Sequence, residues 1–534
     1  MINKKITQVL LEQLKEFKVE NVYGYAGDTI IPLLSALKDS ELNLYTTRHE
    51  AAAGLMASAE AKLTGELAVC LAHSGPGTAN IINGIADAAK DRAPVLLITG
   101  QVPSYNIGTD YKQYVKQLEL TDPLTVYSET VTHPESIVDL LFKAATMAIA
   151  KGGVSQLVIP MDLWEKETSA QIRKYPKHLQ QKDKPNLEKL ESATKLINKA
   201  KKPVILYGRG ALDSKDGLIQ LSQRIGAALI NTLPAAGLID NKQDNVIGGL
   251  GQAGREEAAR LINEADLIII VGASWWPMDY VPRQPKVIQI DLEEENIALQ
   301  HPVEVGIVGD AKETLQELLK LSKTEINFTW QKRIKEERRK MREDLKQEKV
   351  KANPLLPDEI MKTISKVIGE NEIITLDTGD HVVWFGQYFN NQCQKLLVSG
   401  SWRTMGFGIP AALAAKINQP EASVTAIIGD GGFSMFPFEI LTAQDYQLPI
   451  RIIVLNNGSL AMERNKMIVS DYQVEGTKLN NPDFAQLAEL NDFKGIKVTN
   501  RNKLREVLKN TQDVDYPVLL DVATATTIPE GTKL

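Results

Sequence analysis

A carboxylate and a side-chain amide, each closing an apolar run, are the residues of this chain best suited to chemistry. Gly429-Asp430-Gly431-Gly432 follows the run Ser423–Ile428, and Asn456-Asn457 follows Ile450–Leu455. The 24 residues between Gly431 and Asn456 leave room for a helix and a strand. Both motifs are therefore expected at the C-terminal ends of parallel strands, where open α/β sheets bind ligands. There Asp430 and Asn457 can converge on a hard divalent cation such as Mg²⁺, which takes oxygen ligands and shares them with a ligand's phosphates. Gly429, Gly431 and Gly432 let a diphosphate approach the backbone. The glycine run alone is equally consistent with a tight turn; its spacing from the Asn pair is what makes the pattern specific. A second acid, Glu50 in Arg48-His49-Glu50, opens an Ala-rich helical pattern. Such an acid commonly just complements the helix dipole, and in a low-dielectric site it can also move a proton.

These residues need a scaffold of alternating strands and helices. The first third reads as strands at Asn21–Tyr25, Asn43–Thr46, Leu67–Ala72 and Pro94–Gly100, with helices at Ile30–Leu37, Glu50–Thr64 and Thr78–Asp87. The middle third repeats the rhythm, with strands at Pro203–Tyr207, Ala228–Asn231, Leu267–Val271 and Val287–Asp291 and helices at Leu218–Gly226 and Arg255–Glu264. The last third has strands at Glu372–Leu376, Ser423–Ile428, Ile450–Leu455 and Val518–Asp521. Strand–helix alternation predicts parallel βαβ units. The fold class is α/β, with three doubly wound parallel-sheet domains at residues 1–165, 186–323 and 352–534. The first and third look architecturally alike, without a residue-level repeat. Residues 165–190, polar and Lys-rich, read as a linker. The charged run Thr329–Lys351 reads as a solvated linker helix; a nucleic-acid contact is the lesser alternative.

Composition narrows the classes. A net charge of −6 argues against a nucleic-acid binder. Two cysteines far apart, Cys70 and Cys393, exclude a disulfide framework and a zinc site. No signal peptide and no apolar run long enough to span a bilayer is seen, so a cytoplasmic enzyme is expected.

The GDG…NN arrangement resembles the cofactor motif of thiamine-diphosphate-dependent enzymes. The resemblance covers most of the chain: RHEAAAGLMASAEAKLTG, SGPGTANIINGIADAAKDRAPVLLITGQVP and SWRTMGFGIPAALAAK resemble the pyruvate oxidase and acetolactate synthase branch, and GTKLNNPDFAQLAE is closer to the pyruvate oxidases. It implies that the first domain binds the pyrimidine, that the third binds the diphosphate and Mg²⁺, and that Asp430, Asn457 and the backbone carbonyl of Ser459 ligate the metal. It implies that Glu50 hydrogen-bonds a ring nitrogen of the aminopyrimidine, which generates the carbon nucleophile, and that Met405 props the coenzyme. Core packing is the plainer role for Met405. Gln113 is implied near the substrate carboxylate. The site is implied to lie between subunits of a homodimer or homotetramer.

The central domain resembles the FAD domain of pyruvate oxidases. Gly208, Gly210 and Gly272 follow strands and Asp291 and Asp310 stand at turns, so glycines could admit a pyrophosphate and an acid could bind ribose. The alternative is a vestigial site. Gly249-Leu-Gly251-Gln-Ala-Gly254 fits the dinucleotide fingerprint, but it reads as a loop before a helix. Two pocket positions, Lys112 and Glu463, depart from the family. Lys112 replaces an aromatic, and Met462 and Glu463 stand where apolar or aromatic residues are usual. Either Lys112 pairs with Glu463, since a buried charge is costly alone, or these side chains turn to solvent. The chain also lacks the long C-terminal extension of membrane-associated pyruvate oxidases.

The resemblance implies FAD-dependent oxidative decarboxylation of a 2-oxoacid. The alternatives are an acetolactate synthase-type carboligase or a non-oxidative decarboxylase, and a non-catalytic cofactor-binding regulator. No Arg in Gly272–Asp279 offers itself to a second carboxylate, which argues against the carboligase. Sequence leaves open the 2-oxoacid, the electron acceptor and the oligomer number.

Overall fold

The structure, a computed structural model, describes residues 3–176, 179, 184–324, 326–347, 353–512 and 514–534. Three six-stranded parallel sheets organise the chain. The first contains β1 (Asn21–Gly24), β2 (Asn43–Thr46), β3 (Ala68–Ala72), β4 (Val95–Gln101), β5 (Thr125–Thr130) and β6 (Val154–Pro160). The second contains β7 (Pro203–Tyr207), β8 (Ala228–Asn231), β9 (Val246–Gly249), β10 (Leu267–Val271), β11 (Lys286–Asp291) and β12 (Val305–Val308). The third contains β13 (Ile373–Leu376), β14 (Lys395–Val398), β15 (Val424–Gly429), β16 (Arg451–Asn456), β17 (Lys494–Val498) and β18 (Val518–Ala523).

The first and third sheets share one strand order, β2-β1-β3-β4-β6-β5 and β14-β13-β15-β16-β18-β17. The likeness expected from sequence is therefore a likeness of topology. The central sheet runs β9-β8-β7-β10-β11-β12, the order of dinucleotide-binding domains. The central strands of each sheet are covered on both faces, which is why they read as continuous apolar runs.

Two helices of the first domain position the N-terminal acid. Helix α1 (Glu50–Thr64) starts where the His49 ring accepts the Ala51 N–H and stops at left-handed Gly65. Helix α2 (Pro76–Lys90) starts two residues before the expected Thr78, because Pro76 in the first turn gives up an N–H that would be unpaired there anyway. The helices cross at Gly54 and Gly84. A Cβ on Gly84 would stand 2.6 Å from the Ala51 carbonyl oxygen, so only glycine permits the approach.

Two expectations need correction. Residues 165–175 are not a free linker: Glu167–Thr168 pairs with Lys4–Lys5, and the Gln13 side chain clamps the N–H and C=O of Arg173, both at 2.8 Å. Within that stretch, residues 177, 178 and 180–183 lie outside the described residues. The charged run forms α3 (Phe328–Lys346), but not as a wholly wet helix; residues 348–351 of the run also lie outside the described residues. Trp330, Ile334 and Met341 are buried. Buried Glu337 is ringed by Arg260, Arg333 and Lys340. Burial alone would raise its carboxyl, but these cations hold it down at about 2. Helix α4 (Gly408–Asn418) packs on α1, so one apolar cluster joins Ala53, Met56 and Ile81 of the first domain to Phe407, Ile409 and Leu413 of the third. Among the described residues, no helix is long and apolar enough to cross a membrane.

Candidate active site

The third sheet reverses its strand order between β13 and β15, and the chain leaves that switch point as Asp377 and as Gly429-Asp430. Asp430, Asn457, Ser459, Met405, Met462 and Glu463 line one pocket there. Asp430 is buried, and burial pushes its carboxyl above the ordinary range despite several donors. One oxygen accepts the Gly431 N–H at 3.0 Å; the other accepts Gly458 N–H and Asn481 Nδ2, both at 2.7 Å. The tandem asparagines divide the labour. Asn456 donates to Asp521 at 2.9 Å and accepts from Asn481 at 3.0 Å, whereas Asn457 lines the pocket and takes the Ser459 N–H at 3.0 Å.

A hard cation fits this donor set. It offers a carboxylate, an amide oxygen and backbone carbonyls, and the buried Ser459 hydroxyl has no partner. Among the described residues no three His, Cys, Asp or Glu side chains gather into a metal site. A metal here therefore depends on amide and carbonyl oxygens. The glycines leave room for a ligand: a Cβ on Gly431 would lie 2.6 Å from Leu460 and 3.0 Å from the Met405 Cε.

Several residues in or directly behind the pocket have no counterpart among the candidates drawn from sequence. Asp377, fully buried, accepts Gly406 N–H at 3.0 Å and Gly408 N–H at 2.8 Å, so it fixes the backbone just after Met405. Burial pushes its carboxyl up to about 6. His381 donates through Nε2 to the Asp377 carbonyl at 2.8 Å, and burial lowers the ring to about 4, so a neutral imidazole faces the pocket. Asp380 is pushed up to about 6, chiefly by burial and also by the charge of Glu463; the Asn465 amide at 2.7 Å offsets part of this. These aspartates lack a recognisable spacing. Their place just after an apolar strand is the one available clue.

Glu50 sits at the mouth of the first domain's own switch point, between β1 and β3. Its Oε2 accepts Asn80 Nδ2 at 3.0 Å, and its Oε1 lies 3.4 Å from where a Cβ on Gly77 would stand. Gln113, in the left-handed region at φ 62°, packs its backbone on Gly75, beside the same turn. His73 bonds Thr29 Oγ1 at 3.0 Å and lies 3.8 Å from Asp28. Of the two alternatives for Lys112 and Glu463, the pair is not formed within one chain. Exposed Lys112 faces Asp28 at 3.7 Å, while Glu463 lines the Asp430 pocket. Glu50 does not line that pocket either. It neighbours the cleft of His49, Asn80, Asn83, Trp402 and Phe436.

The central domain fits its expected cofactor less directly. A Cβ on Gly208, Gly210 or Gly272 would fall 2.4–2.8 Å from the facing loop, so these glycines are required by packing of the two strand-end loops. They do not themselves point to a pyrophosphate. Arg209, between two of them, reaches the Asp91 carbonyl of the first domain. Asp291 holds its own turn through Glu293 N–H at 3.1 Å and Asn296 Nδ2 at 2.9 Å, and Asp310 caps a helix at Glu313 N–H, 3.1 Å. Gly249 closes β9, and residues 250–254 form a loop before the helix Glu256–Glu264, so the fingerprint-like glycines lead into a loop before a helix as expected.

Three family models match this chain. The thiamine pyrophosphate enzyme N-terminal TPP binding domain matches residues 4–120, the central domain 190–318 and the C-terminal TPP binding domain 377–522. The chain is 35% identical to the Bacillus subtilis "Putative thiamine pyrophosphate-containing protein YdaP", covering 98% of this chain and 92% of that one. It is 32% identical to the "Probable acetolactate synthase large subunit" of Methanocaldococcus jannaschii (97% and 91% covered). It is 31% identical to the acetolactate synthase large subunit of Corynebacterium glutamicum (96% and 86% covered).

Proposed function

The chain belongs to the thiamine pyrophosphate enzyme family, and we propose that it decarboxylates a 2-oxoacid on thiamine diphosphate anchored through Mg²⁺ at Asp430, Asn457 and Ser459. The observation that carries this reading is the buried Asp430 carboxylate. Its oxygens are aimed by Gly431, Gly458 and Asn481 into a pocket that only glycine at 431 leaves open. When bound, thiamine diphosphate supplies a nucleophilic ring carbon and an electron sink. The protein's part is to bind, aim and exclude water. Asn80 holds Oε2 of Glu50, which would leave Oε1, beside Gly77, to hold a proton for the bound coenzyme. Met405 and Leu460 pack over Gly431, Met462 and Glu463 line the same pocket, and Gln113 stands beside the Glu50 turn for the substrate carboxylate. Within one chain Glu50 and Asp430 open on different clefts. A single coenzyme gripped by both therefore favours a homodimer or homotetramer, with the two residues drawn from different subunits.

Once CO₂ has left, the first reading of the next step is oxidation. FAD, if held by the central domain as in a pyruvate oxidase, would supply a two-electron acceptor there, with oxygen or a quinone as the acceptor beyond it. The dinucleotide-type strand order and the strand-end position of Asp291 support it. A second reading is carboligation to another 2-oxoacid, and one contact favours it. The Gly272–Asp279 loop has no Arg of its own, but Arg403 of the third domain lies 5.0 Å over the Trp275 ring. Among the described residues no carboxylate pairs with that guanidinium. The names of the acetolactate synthase relatives point the same way. The test is an anaerobic visible spectrum of purified protein with pyruvate, thiamine diphosphate and Mg²⁺. A yellow protein that bleaches supports oxidation. Acetolactate without bleaching supports carboligation. No CO₂ release from any 2-oxoacid refutes the whole assignment.

A further inference from the structure

Helix α2 carries a polar stripe through an apolar interface. Asn80, Asn83, Asp87 and the C-cap Asp91 recur at steps of three, four and four, which puts them on one side of the helix. Ile81, Ile85 and Ala88 enter the core instead. At one end of the stripe Asn80 holds Glu50. At the other, Asp91 accepts Gly400 N–H at 2.8 Å and Ser401 N–H at 2.9 Å. Between them Asn83 uses both ends of its amide on the third domain: Nδ2 donates to Thr404 Oγ1 at 3.0 Å, and Oδ1 accepts from Trp402 Nε1 at 2.9 Å. The Thr404 hydroxyl donates in turn to the Met405 carbonyl at 3.0 Å.

Gly400–Met405 therefore hangs from a helix of another domain at four of its residues. It needs outside ties, because Arg403 within it sits in the left-handed region at φ 55°. Asp91 is itself secured: burial would raise its carboxyl, but Lys62 and Arg209 more than offset that. Lys62 bridges Asp87 and Asp91 at 2.6 and 2.7 Å and donates to the Val398 carbonyl at 3.1 Å. An amide suits position 83 because it offers a donor and an acceptor in one fixed plane.

We infer that Asn83 is a positioning residue for coenzyme binding, acting through Thr404 on Met405, and that α2 is the strut that couples the Glu50 a chain lends to one coenzyme site to the Met405 it lends to another. The inference rests on the thiamine diphosphate reading of the site. It is tested on the full chain with Asn83→Ala, Asn83→Asp and Asn80→Ala. The readouts are calorimetric thiamine diphosphate binding with Mg²⁺, Trp402 emission (assigned by difference from Trp402→Phe) and solvent exchange of the coenzyme's reactive ring proton. In N83A, thiamine diphosphate affinity should fall about tenfold and Trp402 emission should shift red, with the pyruvate KM unchanged. In N83D, which keeps the acceptor but loses the donor, affinity should fall as in N83A while Trp402 emission stays as in the wild type. In N80A, ring-proton exchange should slow while Trp402 emission stays unchanged. The inference is overturned if either Asn83 variant, folded by circular dichroism, binds the coenzyme within twofold of the wild type, or if affinity and pyruvate KM change in the same proportion. A wild-type chain that binds no thiamine diphosphate overturns the functional reading instead.

Discussion

Replacing Asp430 with Asn separates the metal-anchoring role of this side chain from its structural one. The carboxylate accepts three hydrogen bonds, from Gly431, Gly458 and Asn481. An amide of the same shape has one accepting oxygen, so at least one N–H donor must face an NH₂ group and go unpaired, a loss of about 1–3 kcal/mol. Opposing this, the amide carries no charge, and the carboxylate is already disfavoured by burial. The two effects act in opposite directions, so the apo protein should melt within a few degrees of the wild type. Ligand-induced stabilisation should not survive. With Mg²⁺ and thiamine diphosphate at a thousandfold excess over Kd, the wild type should gain about 4.1 kcal/mol; a hundredfold weaker variant should gain only about 1.4 kcal/mol. Urea titration with and without Mg²⁺ and thiamine diphosphate reads both numbers. A D430N protein that keeps the full ligand-induced gain would show that Asp430 only braces the turn.

Three further outcomes are expected. Glu50→Gln preserves an oxygen for Asn80, so coenzyme affinity should hold within a few-fold while turnover drops about 10²- to 10⁴-fold in a steady-state decarboxylation assay; unchanged turnover would remove Glu50 from the chemistry. Lys62→Met removes the one cation that bridges the buried carboxylates of Asp87 and Asp91, leaving Arg209 near Asp91 alone, and should cost about 3–5 kcal/mol in urea denaturation; a loss under 1 kcal/mol would refute the picture of a shared buried cation. Asp380, raised to about 6, should become neutral as pH falls through that value. Its raised position means that its contribution to stability is fully present below the unfolded carboxylate range and is lost as pH rises through about 6. Negative charge beside the diphosphate pocket disappears on acidification, so the wild type should bind thiamine diphosphate more tightly at pH 5 than at pH 7 relative to Asp380→Asn. Identical pH profiles for the two proteins would exclude Asp380 from the pocket's electrostatics.

Local chemistry made much of this protein legible in its sequence. Strands such as Pro203–Tyr207 and Leu267–Val271 are buried on both faces, so composition alone marks them. Glu50–Thr64 has an Ala-rich interior and a glycine stop, both local features. Asp430 and Asn457 could be placed at one end of one sheet because each closely follows a strand, and parallel strands bring their C-terminal ends together. What tertiary structure alone decided are contacts whose partners lie far along the chain. Asn481 reaches Asp430 across 51 positions, and Asn83 reaches Thr404 across 321. Nothing in a local window distinguishes these asparagines from solvated ones. Arg403 meets Trp275 from another domain, and the Trp275 loop by itself holds no arginine. Gly208, Gly210 and Gly272 carried a glycine pattern suited to a pyrophosphate, yet close backbone packing makes the same demand for a missing Cβ. The charges around Glu337 show regular helical spacing, but only the packed fold reveals that two of them, Glu337 and Arg338, are buried. Sequence determines what each segment prefers by itself; which polar groups satisfy one another is settled when the domains close and water is excluded.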